Sequence, residues 1–292
     1  MIDGLRGVCA AVLTPFDAGY RPDVAVAVPY YDGLLRSGCS ALNVMGTTGE
    51  ANSIAIADRL AYLEAIAQSG LPLERMMAGT GAASLRDAIA LTRKAHEAGF
   101  AAALVMPPFF YRGISDDGVE RFFDALFDAV QPPASGILLY NFPKMSGITF
   151  TPDLVDRLIE SYPGLIAGMK DSSNDVALQN AVIERHPDLL IYPGSEVSLR
   201  DARERGCAGC ISASVALWPE IAAQVWRGEV PQEELTSRRA SLAELPMIPA
   251  VRYLLWRKCG EPDWERVVPP QIRLTKEQIV LLHERLALEV SL

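Results

Sequence analysis

The chain is 292 residues long, half of it apolar and 22% charged; that is enough apolar material for a full interior and excludes wholesale disorder. Its 27 basic against 36 acidic residues leave a formal charge of −9, with no run of four or more basic residues, so no nucleic acid partner is expected. No segment reaches the roughly 18–20 uninterrupted apolar residues that span a bilayer. The opening MIDGLRGVCAAVLTPF, with an early Asp3 and no small-residue cleavage site, is a poor signal peptide, so the expectation is no membrane partner and a cytoplasmic location.

In chain order, short apolar runs alternate with helical patterns. The runs Val8–Leu13 and Ala41–Met45 come first, followed by a helical pattern over Ala55–Gln68 with Ile56, Leu60, Leu63, Ile66 and Ala67 near helical spacing. Met76–Gly79 precedes a helix at Ser84–Ala98, with Ser84 as N-cap and Gly99 as terminator. Ala102–Met106 precedes Asp116–Val130, which gathers Val119, Phe122, Phe123, Leu126 and Phe127 on one side. Gly136–Tyr140 is followed by Thr151-Pro152, an N-cap with proline at the first helical position. Then come Leu165–Met169 with a helix at Asn174–His186, Leu189–Tyr192 with a helix at Glu196–Arg205, and finally Cys210–Ser212.

These eight runs are near-continuously apolar, as strands covered on both faces are. Eight strands in strict βα order predict a parallel sheet with right-handed crossovers, closed as a TIM (β/α)8 barrel. An open doubly wound sheet usually carries GxGxxG after its first strand; here that strand ends in Leu13-Thr14-Pro15-Phe16. After residue 214 the strand pattern stops, and Ala216–Arg227, Gln232–Ala243, Ile248–Lys258 and Thr275–Leu288 read as helices punctuated by proline. The expected organisation is a barrel over residues 1–215 and a C-terminal helical region over residues 216–292.

A barrel of this kind puts its chemistry at the C-terminal ends of the strands. Lys170 follows the apolar run LIAGM. A buried ammonium loses hydration, which favours the neutral amine that condenses with ketones to a Schiff base; the structural alternative is a lysine paired with Asp171. Tyr140 ends the preceding run and is a candidate proton carrier beside such an amine, or else a rim aromatic. Gly46-Thr47-Thr48-Gly49 offers hydroxyls and backbone N–H groups in a tight turn, fit for a carboxylate or a phosphate, or is a plain βα turn.

Five cysteines form an odd, dispersed set, which argues against a disulfide framework. Cys207-x-x-Cys210 lacks a second pair to complete a zinc site and reads as small buried cysteines. The three histidines are far apart, without HxH or HExxH, so no metal is expected.

Taken together, GTTGE, YNFP and GMKDSS, in this order and spacing, resemble the pyruvate-dependent class I aldolase family that includes dihydrodipicolinate synthase and N-acetylneuraminate lyase. The resemblance covers almost the whole chain. It implies that Lys170 forms the Schiff base with a 2-oxo acid and Tyr140 shuttles protons. Thr47 and Thr48 would hold the pyruvyl carboxylate, and Ile211 would offer a backbone group nearby. It also implies no cofactor and a homotetramer built as a dimer of dimers.

Two departures argue against a true dihydrodipicolinate synthase. Met145 stands where the synthase carries an arginine for its second substrate, with Lys144 beside it. Phe110 stands where it carries a tyrosine donated across a subunit interface, with Tyr111 one residue later. After strand seven only Glu196 remains of the acids with which the sialic acid lyase binds its sugar. A shorter hydroxylated 2-oxo acid is therefore expected, its hydroxyls meeting Ser172, Ser195, Glu196, Ser212 and Ser214. The expected reaction is aldol cleavage of a 3-deoxy-2-oxo sugar acid or similar compound to pyruvate and an aldehyde. The alternatives are a dehydratase on the same intermediate, dihydrodipicolinate synthesis despite the two departures, and a non-catalytic binding protein that kept the barrel.

Overall fold

The computed structural model describes residues 2–287. Its centre is an eight-stranded parallel sheet: β1 (Gly7–Ala11), β2 (Ala41–Val44), β3 (Met76–Gly79), β4 (Ala102–Val105), β5 (Ile137–Asn141), β6 (Ile166–Asp171), β7 (Leu190–Pro193) and β8 (Gly209–Ser212). The order β7-β6-β5-β4-β3-β2-β1-β8 brings the two ends together, and Ala208 N–H donates to Ile191 O at 2.8 Å across the closing seam. The expected TIM barrel is the fold.

Two apolar layers follow from strand alternation. Inward residues such as Cys9, Ala41, Met77, Leu104, Leu138 and Tyr192 fill the barrel. Outward ones such as Val8, Leu42, Ala103 and Leu139 pack under the helices. Local signals set the helix ends. The Ser84 hydroxyl accepts from Asp87 N–H, and Gly99, at φ 93°, closes the helix Leu85–Ala98. The Thr151 hydroxyl accepts from Leu154 N–H at the start of Pro152–Ser161.

Three differences from the expected elements have physical causes. The helix Val24–Arg36 has no counterpart among them, because Val24, Val26 and Val28 alternate like a strand and Pro29 reads as a breaker. Capping by Asp23 and burial of Ala27, Tyr31, Leu34 and Leu35 outweigh that local pattern. Strand β6 runs on through Lys170 and Asp171, which pair with Tyr140 and Asn141 of β5. The helix Pro219–Arg227 packs on β1 and on the helix Leu199–Glu204, which makes it the eighth member of the outer ring. We propose that the barrel unit extends past the expected boundary at residue 215 to take in this helix.

The remaining helices, Gln232–Ala240, Met247–Cys259, Pro262–Glu265 and Lys276–Leu286, form the C-terminal region. Leu288, the expected end of the last helix, lies outside the described residues. A fully buried ion pair fastens this region to the barrel: Arg252 donates to Glu50, the last residue of GTTGE. Arg252 also donates to Thr14 O at 2.8 Å and Trp264 O at 3.2 Å, and the second Glu50 oxygen accepts from Val268 N–H at 3.0 Å. Burial holds the Arg252 guanidinium below its usual range, against the pull of Glu50.

Cys207 and Cys210 are buried, and burial pushes both thiols up, away from thiolate chemistry. Among the described residues no helix is long and apolar enough to cross a membrane.

Candidate active site

The C-terminal ends of the strands open on a cleft of about 710 Å³. Lys170 and Tyr140 line it from neighbouring strands, side by side in register, and each is 5% exposed. Lys170 Nζ stands 4.5 Å from the centre of the Tyr140 ring. Phe142 stacks on that ring at 5.7 Å, and the Tyr140 hydroxyl lies 3.5 Å from Thr47 Oγ1.

Lys170 makes no salt bridge among the described residues. Its neighbour Asp171 faces the opposite side of the strand, as alternation requires. There the Asp171 carboxylate accepts from Asn141 Nδ2 at 2.7 Å, Gln179 Nε2 at 2.7 Å and Ser173 N–H at 3.1 Å. Asn141 in turn accepts from Phe150 N–H at 3.0 Å. This outward network locks the ends of β5 and β6 together, and so fixes the inward pair Tyr140 and Lys170. It leaves the Lys170 amine buried at the cleft, with the adjacent carboxylate turned away from it. A phenol and a threonine hydroxyl stand beside it, which is the equipment for carbinolamine formation and proton transfer.

The turn carrying Thr47 and Thr48 is held by Glu50 N–H donating to Thr47 O at 3.1 Å and Ala51 N–H donating to Gly46 O at 3.3 Å. It can sit this low on the barrel only because glycine surrounds it. A Cβ on Gly49 would come within 2.8 Å of Thr14 Oγ1, and one on Gly79 within 2.3 Å of Met45 O.

The other residues expected at the site divide. Thr48, Ser172, Ser195, Ile211 and Ser212 line the cleft with Thr47. Glu196 does not: its carboxylate is fully buried beneath the cleft wall and accepts from the Ser212 and Ser214 hydroxyls. Glu196 was expected to meet a substrate hydroxyl; its carboxylate is instead a buried acceptor that orients Ser212, because β8 and the turn after it bring the Ser212 and Ser214 hydroxyls to it. Sequence reading also passed over Asn141, Glu50, Arg252 and Arg239. The first two stand within the motifs themselves. The arginines lie in the C-terminal helices, where no local pattern points to the cleft.

The model of the dihydrodipicolinate synthetase family matches residues 4–240. The chain belongs to that family. Members of the dihydrodipicolinate synthetase family are class I pyruvate-dependent lyases, and the chain is an enzyme of that class. A DapA-like lyase of Chloroflexus aurantiacus is 36% identical over 222 residues, 76% of this chain and 74% of that protein. The solved dihydrodipicolinate synthase of Agrobacterium tumefaciens superposes with a TM-score of 0.90 at 28% identity, covering 96% of this chain and 98% of its own. A prophage protein of Escherichia coli in the same family, solved in complex with pyruvate, superposes with a TM-score of 0.85 at 26% identity, covering 97% of each chain.

Proposed function

We propose that the enzyme cleaves a hydroxylated 2-oxo acid, of the kind of a 3-deoxy-2-oxo sugar acid, to pyruvate and an aldehyde through a Schiff base on Lys170. The observation that carries this reading is the buried, unpaired Lys170 in register with Tyr140 at the floor of the cleft. The Lys170 amine adds to the 2-oxo carbon, and Tyr140 passes a proton as the carbinolamine loses water. In the resulting iminium the C3–C4 bond breaks. Its electron pair flows to the nitrogen, the C4 hydroxyl gives its proton to Tyr140, and the aldehyde leaves. The enamine is protonated at C3, and water releases pyruvate from Lys170. Thr47 and Thr48 hold the substrate carboxylate, with Ile211 nearby, while Ser172, Ser195 and Ser212 face its hydroxyls. The lysine is the electron sink, so the reaction draws on no cofactor.

Dihydrodipicolinate synthesis fits less well. Met145 and Phe110, which stand in place of the synthase arginine and tyrosine, are 46% and 74% exposed and carry neither charge nor hydroxyl. Dehydration from the same iminium is the second outcome of a product assay over 3-deoxy-2-oxo sugar acids: pyruvate release supports the lyase, and loss of water with the carbon chain intact overturns it. In this assay Tyr140→Phe is expected to lower kcat by roughly 10²–10⁴-fold, as removal of a general acid–base does; an unchanged rate removes Tyr140 from its role.

We also propose a homotetramer. Phe110 and Tyr111 form an edge-to-face pair on the loop after β4, 74% and 70% exposed, and aromatic surface of this kind is enriched at interfaces. Sedimentation at the mass of a single 31.7 kDa chain would overturn it.

A further inference from the structure

We propose that the far side of the cleft takes a second anionic group of the substrate, a carboxylate or phosphate, on Arg239 and Lys144. This rests on the Schiff-base reading and narrows its substrate class. In a chain of charge −9, four cationic side chains line the cleft and no aspartate or glutamate does. Two of the four are accounted for. Lys170 is the amine of the reaction. Arg205 donates to Asp201 at 2.9 Å and to Asn180 at 2.9 Å, so its charge is met by a neighbour.

Arg239 and Lys144 are different. Neither makes a salt bridge among the described residues. The one side-chain hydrogen bond of Arg239 runs from Nη1 to Met247 Sδ at 3.1 Å, and a thioether is a weak acceptor. That contact steadies the half-buried guanidinium and leaves most of its donors for a ligand. Arg239 comes from the helix Gln232–Ala240 and Lys144 from the short helix Pro143–Ser146 after β5, so the two approach the cleft from different elements. A planar guanidinium forks onto a carboxylate or phosphate, and an ammonium adds a point charge. The turn at Thr47 and Thr48 already serves the carboxylate beside the 2-oxo group. Lys144 is exposed and meets solvent, but a neutral distal end would leave the half-buried Arg239 with only its thioether partner, whereas an anionic one gives it an acceptor of opposite charge.

Borohydride trapping of 2-oxo acids on the intact enzyme tests this without requiring turnover. The probes are 2-oxoglutarate and its uncharged counterpart 2-oxopentanoate, each referred to pyruvate in the same protein so that any loss of folded enzyme cancels. We expect half-saturation for 2-oxoglutarate to lie at least about tenfold below that for 2-oxopentanoate, the scale of one charge-assisted contact. In Arg239→Met, and in Arg239→Gln should the first variant fold poorly, the gap should close to below about threefold; Lys144→Met should narrow it less. A 2-oxo acid ending in phosphate separates the two anions: tighter trapping than 2-oxoglutarate identifies a phosphate site, and weaker trapping a carboxylate site. Equal trapping of charged and uncharged probes by the wild type, or a gap that survives in the Arg239 variants, overturns the proposal. Absence of any adduct with pyruvate instead overturns the Schiff-base reading.

Discussion

Lys170→Ala is expected to abolish the covalent adduct that borohydride fixes between the enzyme and pyruvate, and to lower turnover on the order of 10⁶-fold, the scale of losing a covalent nucleophile. The wild-type adduct is one pyruvate less one water plus two hydrogens, located at Lys170 by peptide mapping. The amine is placed for this by two separate features. Burial at the floor of the cleft removes water from it. The outward Asn141–Asp171–Gln179 network keeps the adjacent carboxylate, Asp171, on the other face of β6. Persistence of the adduct in Lys170→Ala, or its mapping to Lys144, would reassign the nucleophile.

Arg252→Ala is expected to destabilise the fold by about 3–5 kcal/mol, because it leaves the Glu50 carboxylate buried without its counter-charge. At roughly 2 °C per kcal/mol for a chain of this size, the thermal midpoint should fall by about 6–10 °C. The pair is the buried ionic contact between the C-terminal helices and the barrel, beside neutral contacts such as Phe16 N–H donating to Asp263 O at 3.1 Å: one guanidinium bridges Glu50, Thr14 O and Trp264 O, and Glu50 also receives Val268 N–H. Replacing both partners by apolar residues removes the stranded charge, so Glu50→Leu with Arg252→Leu should recover part of the loss. A drop below about 1 kcal/mol in the single variant would show that the other contacts carry the tail and the pair contributes little.

Much of this was legible before the structure. The eight apolar runs lie within a residue or two of the eight strands, because burial on both faces of a barrel strand leaves a continuous apolar mark. The caps at Ser84 and Thr151 were equally plain, since a side-chain oxygen three residues before the N–H it serves is a local signal. The helix Val24–Arg36 was not legible, for its local pattern contradicts its packing. Nor was the partner of Glu50. Arg252 lies 202 residues further along the chain and meets it only through the tertiary fold.

The sequence by itself determined the barrel, the ends of its strands and the motifs resembling the aldolase family, because periodicity, caps and short motifs are properties of neighbouring residues. Only the tertiary structure decided which side chains face one another. Alternation turned Lys170 inward beside Tyr140 and Asp171 outward to Asn141. Two serines brought up by and after β8 enclosed Glu196 and took it out of the cleft. The C-terminal helices delivered Arg239 to a wall built by other elements. Charges interact through space rather than along the chain, and their distances exist only once the fold has closed.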